Sequence, residues 1–137
     1  GTTVTLLIPR KATPRWHIER LDLASKKEVV IVEDQASIVN QWKLRLKNVA
    51  IHSFEGPSGF SLWLKGAPET PSRLYIVDYD FNDGTESTGL DFIERLKIQK
   101  SAILVTGHYD DVTIQRRCQE LGCKLLPKEM IHSLPIA

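Results

Sequence analysis

The sequence predicts an α/β domain with one parallel sheet of five strands and helices on both of its faces. Three observations lead there. From Glu28 onward, short runs rich in β-branched apolar residues alternate with segments of helical period. That alternation is the pattern of strands buried in a parallel sheet between crossover helices. Glycine and proline stand at several of the junctions, where helices start and stop. Finally, 137 residues with 42% hydrophobic content can build one domain with a real core and not two.

The first strand is read at EVVIVE, Glu28 to Glu33. A helix follows at about Ala36 to Lys47, with Ile38, Val39, Trp42 and Leu46 spaced to face the sheet and the lysines and Arg45 facing water. The second strand is NVAIHSF, Asn48 to Phe54. The helix after it, near Ser58 to Lys65, has a Gly-Pro start signal and stops at Gly66. RLYIVD, Arg73 to Asp78, makes the third strand, and Gly89 to Ile98 the third helix. SAILVT, Ser101 to Thr106, is the fourth strand. A helix from about Asp111 to Leu121, ended by Gly122, leads to the last strand, CKLLP, Cys123 to Pro127. Trp42 and Trp63 fall on apolar helix faces and belong to the core.

Right-handed crossovers and short connections leave few arrangements for five such units. The flavodoxin-like three-layer sandwich, strand order 2-1-3-4-5, is the expected one, with function at the carboxyl ends of the strands. Only nine residues follow Lys128, too few for a full fifth helix. The stretch before Glu28 differs in kind. GTTVTLLIPR reads as a strand, and the polar linker after it carries Trp16, Ile18, Leu21 and Leu23, an apolar set expected to dock on something.

Lysine plus arginine number 18 against 17 acids, a net charge of +1, so no strong field draws in nucleic acid or an anionic membrane. No apolar run is long enough to span a bilayer and no signal-peptide layout opens the chain. A cytoplasmic protein without membrane contact is expected. Cys118 and Cys123 are read as reduced thiols packed as small hydrophobes.

The chemistry-bearing residues stand at strand ends: Glu33 and Asp34 after the first strand, Asp78 after the third, Thr106 after the fourth and Lys128 after the fifth. The topology makes them converge on one crevice. Three carboxylates packed together repel unless a hard cation neutralises them, and Mg²⁺ suits an all-oxygen site. Asp78 is the middle acid and can act as nucleophile toward a phosphoryl group, whose oxygens Thr106 and Lys128 would hold. The four histidines, His17, His52, His108 and His132, lack a zinc-ligand spacing. His108 lies close enough to the crevice to modulate it, and Tyr79 and Tyr109 flank it.

From Glu28 to Lys128 this pattern resembles the receiver domains of response regulators. VVIVEDQASI supplies the family's acidic pair, Glu33 and Asp34; LYIVD its acceptor, Asp78; ILVTG its switch hydroxyl, Thr106; and LLPKE its lysine, Lys128. The resemblance implies Mg²⁺ held by Glu33, Asp34, Asp78 and the backbone carbonyl of Asp80. It also implies a histidine kinase or histidine phosphotransfer protein as phosphate donor. The start, GTTVTLLIPR, is similar to the last strands of histidine kinase ATP-binding domains. Together these imply a hybrid sensor kinase cut into three parts here: residues 1–10 as the tail of the ATP-binding domain, 11–27 as linker and 28–137 as receiver. No glycine-rich ATP loops are present, so the chain itself is not expected to be a kinase, and its oligomeric state is left open.

Four departures from the family pattern stand out. The loop YDFNDGTESTG after Asp78 is longer than usual before Gly89 and carries Asp80, Asp83 and Glu86. Leu125 stands where most receivers have an aromatic, three residues before the lysine. Pro127 precedes Lys128, where the family places a proline after its lysine. The chain also runs only to EMIHSLPIA beyond that point. These departures keep open a pseudo-receiver that binds partners without phosphorylation. A further alternative is a haloacid-dehalogenase-like phosphatase, because VDYDFNDGT resembles that family's D-x-D motif, with Asp78 as nucleophile and Asp80 as acid/base.

Overall fold

A computed structural model describes residues 18–81 and 87–136. The expected strand and Trp16 near the start lie outside the described residues, as do Asp83 and Glu86 of the loop after Asp78. Five strands, β1 (Glu28–Val32), β2 (Ala50–Phe54), β3 (Arg73–Asp78), β4 (Ala102–Thr106) and β5 (Lys124–Pro127), form one sheet of order β2-β1-β3-β4-β5, all parallel. Four α-helices connect them: α1 (Ala36–Arg45), α2 (Pro57–Gly66), α3 (Gly89–Leu96) and α4 (Val112–Leu121). The flavodoxin-like order is thus the observed one. Strand and helix limits match the sequence reading to within two residues, with β3 identical, the remainder being the usual fraying at element ends. Residues 99–101 form a short 3-10 turn ahead of β4 rather than the start of the strand.

The pleat of the strands divides the interior into two cores. Val30, Val32, Tyr75, Val77, Leu104 and Leu125 point to one face, where Phe60, Leu90, Phe92, Ile93, Ile114 and Cys118 from α2, α3 and α4 pack on them. Val29, Ile31, Leu74, Ile76, Ile103, Val105 and Leu126 point to the other face. There they meet Trp42 of α1 and Leu46 just after it, Ile131 and Leu134 from the stretch after β5, and Ile18 and Leu21 from the segment before β1. The described members of that apolar set are therefore docked. Ile18 and Leu21 are buried, and Leu23 packs against the same core.

Beyond β5 the described chain makes only a 3-10 turn (Lys128–Met130) and further turns, with no fifth α-helix among the described residues. The Ile18–Leu23 segment lies against those turns through Leu21 N–H donating to Pro135 O at 2.8 Å and a parallel bridge to Ile136.

Two details correct the sequence reading. Arg45 is only half-exposed: its Nη1 donates to Ile131 O at 2.7 Å, binding α1 to the turns after β5. Trp63 is half-buried rather than fully in the core: it packs against the margin of that cluster, with the guanidinium of the buried Arg73 4.9 Å from its ring centre. Arg73 also bonds Glu28 and donates to Tyr75 Oη (3.2 Å) and Pro68 O (2.8 Å), fixing the amino-terminal end of the sheet. Cys118 and Cys123 are free thiols, both buried.

Candidate functional site

Parallel strands aim their last residues at the same side of the sheet, and here that side collects Asp78, Thr106 and the residues just past β1 and β5. Asp78 is the final residue of β3, between β1 and β4, and pairs in register with Val105. It is 3% exposed and Glu33 4%. Glu33 is held by its own N–H donating to Phe54 O (2.9 Å) and by Gln35 N–H donating to its Oε2 (3.1 Å). Asp34 beside it is exposed. Glu33, Asp34 and Asp78 each bring a carboxylate oxygen within 4.8 Å of the others. Lys128, the first residue after β5, reaches in with its Nζ 3.3 Å from Asp78 Oδ1 and 3.6 Å from Glu33 Oε1.

The electrostatics follow from this crowding. Burial, opposed by Lys128 and reinforced by Asp34 and Asp80, pushes Asp78 up from 3.8 to about 6. Burial and the neighbouring charge of Asp78 push Glu33 up from 4.5 to about 7. Burial by itself would lower Lys128, but Asp78 and Glu33 outweigh it and hold the ammonium above its ordinary value. One lysine therefore only partly balances the acids. A set of carboxylates short of positive charge, with oxygen donors alone, is chemically matched to a hard divalent cation.

Thr106 is buried at the end of β4, its Oγ1 accepting from His108 N–H at 2.9 Å. Asp80 stands at the exposed mouth, where its carboxylate pairs with His108 Nε2 at 3.3 Å. His108 thus reaches the site as expected, and the Tyr79 ring packs edge-on against it at 6.3 Å. Tyr109 bonds the carboxylate of Glu129, next to Lys128, which raises its phenol above the usual range. A cavity of about 220 Å³ opens beside the acids, between Asn40 and Lys43 of α1 and Phe54 of β2.

The residue whose weight sequence reasoning understated is Gly89. Its N–H donates to Tyr79 O at 2.8 Å, and a Cβ there would lie 1.9 Å from Asp78 O. The first turn of α3 therefore rests on the backbone of Asp78 itself. A capping box fixes that turn, Thr88 Oγ1 accepting from Asp91 N–H (3.2 Å) while Asp91 Oδ2 accepts from Thr88 N–H (2.9 Å). Arg117 of α4 then holds Asp91 at 3.0 Å. Only a glycine permits this approach, and a glycine at a strand-to-helix loop was the available signal.

Solved structures with this fold include several response regulators. RcsB of Salmonella typhimurium superposes with a TM-score of 0.60 at 15% identity, over 80% of this chain and 55% of its own. The chain has the receiver-domain fold. LqsR of Legionella pneumophila gives 0.62 at 19% identity, over 75% of this chain and 38% of its own length. A LuxR family DNA-binding response regulator from Silicibacter pomeroyi gives 0.53 at 19% identity, over 80% of this chain and 94% of its own. The chain therefore spans about half of RcsB and less of LqsR. No family model and no curated protein matches the sequence. Among the described residues of this receiver fold, no helix is long and apolar enough to cross a membrane.

Proposed function

We propose that the domain is a phosphorelay receiver that takes a phosphoryl group from a phosphohistidine onto Asp78 and changes its partner contacts as a result. The observation that carries this reading is the Lys128 ammonium 3.3 Å from an acid that ends the central strand, inside a cluster of three carboxylates. Glu33, Asp34, Asp78 and the backbone carbonyl of Asp80 would hold Mg²⁺. When bound, the ion supplies the positive charge that lets the acids ionise together and screens the incoming phosphoryl group.

Asp78 must be ionised to attack, and at about 6 it is ionised above that pH. A carboxylate oxygen of Asp78 forms the new P–O bond as the P–N bond of the donor breaks, and the electron pair leaves on the imidazole. Lys128 and Thr106 hold the phosphoryl oxygens; for Thr106 this means turning its hydroxyl, which now accepts from His108 N–H, toward the new group. The donor is a histidine kinase or histidine phosphotransfer protein. In this reading the domain works in the cytoplasm within a hybrid kinase, residues 1–10 ending the ATP-binding domain, 11–27 linking and 28–137 forming the receiver.

The dehalogenase-like reading asks for its nucleophile on the first strand, whereas Asp78 ends the third. A pseudo-receiver is favoured by one observation, the fully buried Leu125 in place of an aromatic that could rotate with the hydroxyl. Incubation with an autophosphorylated histidine kinase distinguishes the two. Mg²⁺-dependent label on the wild type and none on Asp78→Asn supports the receiver. Folded protein that takes no label supports the pseudo-receiver.

A further inference from the structure

We propose that residues 18–23 form a strap whose docking on the domain is coupled to occupancy of the Asp78 pocket, making the chain's own upstream segment the partner to which the domain reports. The inference rests on the phosphorelay reading and goes beyond it by naming the surface that responds.

The strap brackets Lys128. Ile18 N–H donates to Leu125 O at 3.2 Å, three residues before the lysine, and Leu21 N–H donates to Pro135 O at 2.8 Å, seven residues after it. β5 is the edge strand of the sheet, and Leu125 O accepts the strap's Ile18 N–H there, so the strap covers part of that open edge. Between the two anchor points the chain makes consecutive tight turns, Ile131 N–H to Lys128 O (3.4 Å) and Leu134 N–H to Met130 O (2.9 Å). Ile131 and Leu134 are fully buried against Ile18 and Leu21. The residue that touches Asp78 is thus the first residue of the element on which the strap is packed.

The consequence is mechanical. Lys128 Nζ now sits against a carboxylate oxygen of Asp78. A phosphoryl group on Asp78 occupies that space and presents its oxygens farther out, so Lys128 must withdraw to pair with them. Close-packed interiors have discrete arrangements and do not deform smoothly, so a shift of Lys128 carries Ile131 and Leu134 with it. Among the described residues the strap is held by two backbone bonds and by the side chains of Ile18, Leu21 and Leu23, and it is the piece that yields. It loosens when the pocket is filled.

The test uses the 137-residue chain with Mg²⁺ and beryllofluoride as the phosphoryl mimic. Fluorine NMR reads whether the mimic is bound at the site, and amide hydrogen exchange reads Ile18 and Leu21, with Val30 and Ile31 of β1 as the internal control. With the mimic bound, exchange at Leu21 and Ile18 is expected to speed up about fivefold or more, the lower end of ordinary site-to-site coupling, while Val30 and Ile31 do not. Bound mimic with strap exchange unchanged or slowed overturns the strap and leaves the receiver reading standing. Absence of bound mimic refutes the receiver reading and the strap with it.

Coupling is reciprocal, so weakening the strap must favour the filled pocket. Ile18→Ser is expected to tighten beryllofluoride binding severalfold, and unchanged or weaker binding in the folded variant also overturns the proposal.

Discussion

Replacing Asp78 by asparagine should stabilise the metal-free domain at neutral pH. The carboxylate is buried, and its ordinary value of 3.8 rises to about 6 on folding. At about 1.4 kcal/mol per tenfold change in proton affinity, that rise amounts to about 3 kcal/mol by which folding disfavours the ionised form. The folded-state value lies above the unfolded one. The cost is therefore absent below about pH 4, grows between pH 4 and 6, and is fully present above that. Asparagine removes it; the value of about 6 already contains the pull of Lys128 3.3 Å away, and Glu33, 3.6 Å from that lysine, keeps it paired in the variant. The net expectation is a gain of about 1–3 kcal/mol for Asp78→Asn at pH 7.5 in EDTA, vanishing near pH 4. Urea unfolding of both proteins across that range measures it. A variant less stable than wild type at pH 7.5, or a difference that does not depend on pH, would show that the site holds no uncompensated negative charge.

Three further outcomes follow from the same geometry. Mg²⁺ affinity measured by calorimetry should fall at least about tenfold from pH 7.5 to 5.5, since Glu33 at about 7 and Asp78 at about 6 take up protons that compete with the ion; a flat profile would contradict it. Gly89→Ala places a Cβ 1.9 Å from Asp78 O, so α3 must shift. Unfolding should report a loss of about 2 kcal/mol or more, and phosphorylation by acetyl phosphate should slow at least about tenfold. Lys128→Met keeps the bulk but leaves Asp78 and Glu33 facing each other. Because the lysine side chain is 24% exposed, the expected loss of stability at pH 7.5 without metal is moderated by solvent to about 1–2 kcal/mol. Phosphorylation in the same variant should slow at least about tenfold.

Periodicity made the sheet legible. The runs at Val29 to Val32, Leu74 to Val77 and Ile103 to Val105 are apolar on both faces, which only a doubly covered parallel sheet needs. The convergence of four candidate residues was legible for a related reason, since topology alone brings strand ends together, and Glu33, Asp34, Asp78 and Lys128 do meet.

Other features were not legible because they depend on the meeting of segments distant in sequence. Arg45 looked solvent-facing by helical period, yet Ile131 O, 86 residues on, captures it. Arg73 reads as an ordinary strand-start residue, and only the fold brings Glu28, Pro68 and Trp63 around it. The short stretch after β5 seemed to leave one sheet face incomplete. Ile18 and Leu21 supply the missing cover, which a linear reading could pose as an option and not decide.

Whether Asp78 accepts a phosphoryl group is read by intact mass after incubation with acetyl phosphate and Mg²⁺. An adduct of one phosphoryl group is expected on the wild type, and none when EDTA replaces Mg²⁺ or in Asp78→Asn. An unmodified mass on a folded, Mg²⁺-loaded chain, or an adduct that persists in Asp78→Asn, would contradict it.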